Sequence, residues 1–220
     1  MKPIWTMLLV SGTLGGADVS LWTSGEAIVE NMVMARARGE AVSMFDAVGV
    51  HLEWTRAHPT GCPANPIEVR FSSGNLAWPR GSLAYSTPFA AQPVITVFYD
   101  RVKSTSPPEF RWRLLAHVLV HEIAHVLMRT DHHNSEGIMK AHWTTSDFIQ
   151  MAHDPLPFGS MDKDIIRNGL RSLEEARASC HATFSHALDD SKSQGGPNPR
   201  IWNAHGWPNA SVSSETLFGW

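Results

Sequence analysis

His121 and His125 stand in "HEIAH" with Glu122 beside the first, inside "LLAHVLVHEIAHVLM" (114–128), a stretch apolar on nearly every side. Four residues apart on a helix, the two imidazoles project from one face and can share one Zn²⁺ at about 2.0–2.1 Å. Glu122, the next residue round, can reach a water on that ion without binding the ion itself. So apolar a helix belongs in a core, where two imidazoles and a carboxylate are costly unless they are paired or hold a metal. That cost favours a zinc pair over histidines merely satisfied within the core.

His117 lies on the same stripe. At a rise of about 1.5 Å per residue, its Cα is about 12 Å from that of His125, so the three histidines cannot converge tetrahedrally on one ion. His117 is expected to be a core or supporting histidine. The third ligand is expected from the next segment, "RTDHHNSEGIM", which offers Asp131, His132 and His133 in a row. With no glycine between His125 and Gly137 to turn the chain sharply, a wider loop is expected, with Asp131 or Asn134 in the left-handed conformation and His133 as the ligand. Asp131 is then expected to orient a ligand imidazole, and His132 to be exposed. A more distant carboxylate, Glu174 or Glu175, is the alternative.

These residues need a frame. "GVHLEW" (49–54), "IEVRFS" (67–72) and "VITVFYD" (94–100) have the β-branched and alternating character of strands, and "LAYSTPF" (83–89), which contains Pro88, suits an edge. Ser24 is a candidate cap for a helix through 25–48, Ser106 for a long helix from Pro107, Thr144 with Asp147 for a capping box, and Ser160 for a last helix. The order predicts an α+β domain: a small twisted mixed sheet on a long helix bearing the two histidines, with helices after it.

Together "VHEIAHVL", the histidine-bearing turn and "GIMKAHW" with Met139 resemble the metzincin type of zincin metallopeptidase, where a third ligand and a methionine-containing turn follow the zinc helix. Across about residues 80–172, "HNSEGIMKAHW" and "PLPFGSMDKDIIRNGL" are also similar to exported bacterial proteins with an HExxH helix and a GIM or GVM turn. Those proteins carry a histidine six residues before the methionine, as His133 stands before Met139. The metzincin spacing HExxHxxGxxH would put glycine at 128 and histidine at 131, where Met128 and Asp131 stand. The resemblance implies a zincin-like fold, a Zn²⁺ cofactor on His121, His125 and His133, Glu122 as general base, and a peptide or protein substrate extended along the edge strand. A zinc-dependent hydrolase of a small amide and a non-catalytic, metal-stabilised binding module are the alternatives.

With 18 Lys and Arg against 21 Asp and Glu and no basic run, the chain has no stripe to follow a nucleic-acid backbone. No stretch has the roughly 18 consecutive apolar residues of a membrane span. The start, "MKPIWTMLLVSGTLGGADVS", has the outline of a secretory signal over 1–17, which implies a secreted or periplasmic protein. In that compartment Cys62 and Cys180 are expected to pair. The catalytic domain is then expected over 18–185, followed by a flexible tail, 186–220, rich in Ser, Gly, Asn and Pro.

Overall fold

The computed structural model describes residues 17–57, 66–73, 81–172 and 175. Five strands, β1 (Ala17–Ser24), β2 (Val50–Thr55), β3 (Ile67–Ser72), β4 (Ala84–Ser86) and β5 (Val94–Phe98), form one sheet in the order β2-β1-β3-β5-β4. The pairs β1–β2, β1–β3 and β3–β5 are parallel, and β4 alone runs antiparallel, on the edge beside β5. The helices are α1 (Asn31–Asp46), α2 (Tyr99–Thr105), α3 (Arg111–Met128), α4 (Thr145–His153) and α5 (160–172). The architecture is α+β, as expected, and none of the described helices is long and apolar enough to cross a membrane.

Burial explains the sheet. In β3, Ile67, Val69 and Phe71 alternate into the core, and β5, between two neighbours, buries Ile95, Val97 and Phe98. Helix α3 packs against α1 and against β4 and β5. Fifteen of its residues, Leu114 through Met128, are buried. At 25 cal/mol per Å² the apolar share of that burial is the main force seating the helix.

Three local expectations change. The segment through Ser24 is strand β1 rather than the lead-in to a helix: Val19, Leu21 and Thr23 point into the core and the chain pairs with strands on both sides. Ser24 caps nothing; its hydroxyl donates to Glu68 (2.7 Å), and α1 starts only after Glu30. Pairing in the middle of a sheet outweighs a local capping signal. The long helix begins at Arg111 instead of Pro107, because 107–110 form a turn in which the Phe110 N–H donates to the Pro107 carbonyl (3.1 Å). Ser106 donates to the Val102 carbonyl (2.7 Å) and so closes α2, a short helix that the sequence pattern did not separate from the strand before it. The Thr144–Asp147 capping box forms as expected. Residues 1–16, Cys62, Cys180 and the 186–220 segment lie outside the described residues.

Candidate metal centre

Helix α3 places His121 and His125 one turn apart with their Nε2 atoms 2.9 Å from each other, and the Nε2 of His133 comes within 3.2 Å of that of His125. One nitrogen from each of the three rings lies within 4.8 Å of the others. A tetrahedral ion with bonds of about 2.0–2.1 Å holds its ligands roughly 3.3 Å apart, so the donor set has the right size for zinc.

Hydrogen bonding fixes what those nitrogens present. His121 Nδ1 faces the Ile138 carbonyl and His125 Nδ1 the Thr130 carbonyl, each at 2.8 Å. A carbonyl only accepts, so each Nδ1 carries the proton, and a neutral ring then directs its Nε2 lone pair at its neighbour's. Burial, and after it the neighbouring imidazoles, push His121 well below the usual histidine range, and the same two causes bring His125 down to about 4. Burial also lowers His133. Lone pairs facing one another 2.9 Å apart repel, and a cation between them turns that repulsion into binding. The residues present therefore fit a zinc ion.

The third histidine arrives by a sharper turn than expected. Arg129 takes the left-handed conformation (φ 48°, ψ 53°) and ends α3, with its N–H on the Val126 carbonyl and the Thr130 N–H on the His125 carbonyl, both at 3.2 Å. Neither Asp131 nor Asn134 is left-handed; Arg129 is the one non-glycine residue with positive φ among those described. A chain without glycine there can still turn, at a cost of about 1–2 kcal/mol, when the two capping bonds and the packing behind them offset it. Asp131 is exposed, outside the three-histidine cluster, and the two ligand-type rings on α3 are oriented by backbone carbonyls rather than by its carboxylate. His132 is exposed, as expected, and Glu175 stands outside the cluster. Glu174 lies outside the described residues.

Glu122 is only 2% exposed, yet it borders two recesses. One, beside the histidines, is lined by Tyr85, Ser86, Pro88, His125, Asp131 and His133. The other, a pocket of about 170 Å³, is walled by Leu83, Ala84, Val118, Trp143 and Phe148, with His142 in its lining. Strand β4 is the three-residue middle of "LAYSTPF" and an edge of the sheet, with Ala84 lining one recess and Tyr85 and Ser86 the other.

His117 stays out of the cluster. Its Nδ1 faces the Arg113 carbonyl (2.8 Å) and its Nε2 accepts from the Leu156 N–H (3.1 Å), while burial holds it down at about 4. Trp143 stands edge-on to His121 (centroids 5.8 Å apart) and to His117 (6.2 Å). The Thr130 and Ile138 carbonyls and the Trp143 wall were not legible in the sequence. A carbonyl leaves no residue-type signal, and the tryptophan in "GIMKAHW" shows its partner only once the chain folds back.

A mixed sheet with one antiparallel edge strand lies beside the HExxH helix, and a third histidine returns from the loop after it, the arrangement that the resemblance to zincins implied. No family model matches the chain, and no curated protein sequence matches it. Among solved structures it is similar to archaemetzincin from Methanopyrus kandleri, at 12% identity over 74% of this chain and 99% of that one with a TM-score of 0.47. It is also similar to myroilysin, at 13% identity over 67% of this chain and 71% of that one, with a TM-score of 0.31. With both scores below one half, the description of the site rests on the chain's own geometry.

Proposed function

We propose that the chain is a zinc metallopeptidase that hydrolyses peptide bonds, with His121, His125 and His133 as metal ligands and Glu122 as general base. The observation carrying this reading is the convergence of three imidazole nitrogens beside a buried Glu122 on the flank of an edge strand. Among the described residues the cluster offers three ligating side chains, the number that leaves a catalytic zinc one open position. When bound there, zinc would polarise the substrate carbonyl and bring the pKa of its water towards neutrality.

The chain's own residues do the rest. Glu122 takes the proton of the attacking water and delivers it to the leaving amine, so the C–N bond breaks to a free amine and a carboxylate. The outer edge of β4 pairs with an extended peptide and aligns the scissile carbonyl with Glu122. A medium-to-large apolar side chain of that peptide enters the pocket between Leu83, Val118, Trp143 and Phe148. Recesses on both sides of Glu122 along one strand suit a peptide that continues in both directions better than a small amide. We further propose a secreted or periplasmic location, on the signal-like composition of residues 1–17.

Glu122→Gln is the direct test. Zinc stoichiometry should stay near that of the wild type while cleavage of an unfolded protein falls by about 10² to 10⁴. Full turnover in this variant, or wild-type cleavage indifferent to chelators, overturns the proposal.

A further inference from the structure

His133 sits on an irregular loop, and a ligand so placed is only as good as the contacts that hold the loop. The residue after it supplies one: the Asn134 side-chain amide donates to Asp162 across 28 positions of sequence, at 2.6 Å. Asp162 is 3% exposed, and its second carboxylate oxygen accepts from the Gly159 N–H (2.8 Å) just before the start of α5. One buried carboxylate therefore caps its own helix and grips the ligand loop.

The same helix grips the zinc helix. A Cβ on Gly169 would lie 1.9 Å from the Leu127 carbonyl, so the backbones of α5 and the last turn of α3 touch there, two residues beyond His125. Asp162, Ile166 and Gly169 are spaced i, i+4, i+7 on one face, with Ile166 wholly buried between the two contacts. Over two turns of a rigid helix, that face joins the end of α3, which carries His125, to the loop that carries His133.

We infer that α5 acts as a strut that sets the separation of His125 and His133 for metal, with Asn134 and Asp162 as positioning residues. The inference rests on the zinc reading above. Without the strut, His133 must give up loop freedom each time metal binds, and affinity falls by that amount.

The experiment measures zinc affinity by chelator competition and the visible spectrum of the Co²⁺-substituted protein, on the full chain. The variants are Asn134→Ala, His133→Ala and the double exchange Asn134→Asp with Asp162→Asn. Asn134→Ala should bind zinc about 10 to 100-fold more weakly and show an altered Co²⁺ spectrum, while the metal-free protein unfolds only a few degrees lower because Asp162 loses one partner and keeps the Gly159 N–H. The double exchange reverses donor and acceptor between the two side chains and leaves an oxygen at 162 for the Gly159 N–H, so it should bring affinity back to within a few-fold of wild type. Wild-type affinity in Asn134→Ala overturns the strut, and so does a double exchange as weak as the single variant. If His133→Ala binds zinc as tightly as wild type, the ligand assignment fails instead, and the two failures are told apart.

Discussion

Helix α3 and the loop that follows it bring imidazoles to the same point by different means. In α3 the spacing of His121 and His125 is set by backbone hydrogen bonds that repeat every turn, and the rings have nowhere else to go because the helix is buried from Leu114 to Met128. In the loop nothing repeats. His133 is held by a left-handed residue at 129, by the Asn134 N–H on the Met139 carbonyl (2.7 Å), by the Ile138 N–H on the Pro157 carbonyl (3.0 Å) and by the Asn134–Asp162 bond. The helix shapes its half of the site locally, whereas the loop depends also on Pro157 and Asp162, far along the chain.

The sharpest break of that contrast is His133→Ala. If the loop ligand is as necessary as the helical pair, this variant should lose stoichiometric zinc and peptidase turnover together, measured by metal analysis and peptide digestion. Tight zinc binding in this variant together with its loss in Asp131→Ala would return the site to the ordinary metzincin spacing.

Gly137→Ala tests the loop through its backbone. Gly137 has φ 72°, and a Cβ there would sit 2.5 Å from the Pro157 carbonyl. The left-handed cost and the clash together should destabilise the protein by about 2–4 kcal/mol, or roughly 5–15 °C in Tm by calorimetry. Zinc affinity should fall with it, since the Ile138 carbonyl that orients His121 is the next residue's. An unchanged Tm would mean that the turn is not held as tightly as this packing implies.

His117 links the two regions, from the helix to the Leu156 N–H beside the segment that holds the loop. Burial holds its folded pKa down at about 4, below the ordinary histidine value of about 6.5, so the unfolded chain binds its proton more tightly. Stability is therefore full above about pH 6.5 and is lost as pH falls towards 4, by up to roughly 3 kcal/mol from this one group. Denaturant unfolding of the metal-free protein should show a shallower loss over that window in His117→Gln than in the wild type. Equal slopes would show that His117 titrates as an exposed histidine does.

The smallest effects belong to the two neighbours of the ligand. His132→Ala and Asp131→Ala, both exposed, should change stability by no more than about 0.5 kcal/mol. Zinc affinity should move only a few-fold in either, because carbonyls orient the helical pair. A loss of 10-fold or more in Asp131→Ala would give its carboxylate the orienting role first expected of it.

The sequence by itself determined the helical half of the centre. Period 3.6 and an unbroken apolar stretch are local properties, so His121, Glu122 and His125 could be read as one face of a buried helix, and the β-branched alternation of 67–72 and 94–100 read as strands, the second two residues too long. Local reading took Ser24 for a helix cap and found no strand in 17–24, where the pull of two parallel neighbours is not written in the segment itself, and it missed the left-handed turn, which fell on an arginine that no glycine rule would select. Only the tertiary structure decided that His133 meets His125 at 3.2 Å while His132 faces outward. Adjacent side chains on an irregular loop point in directions set by whatever grips that loop. Here the grip comes from the Pro157 carbonyl and the Asp162 carboxylate, and their reach across the chain is a matter of packing that no local pattern encodes.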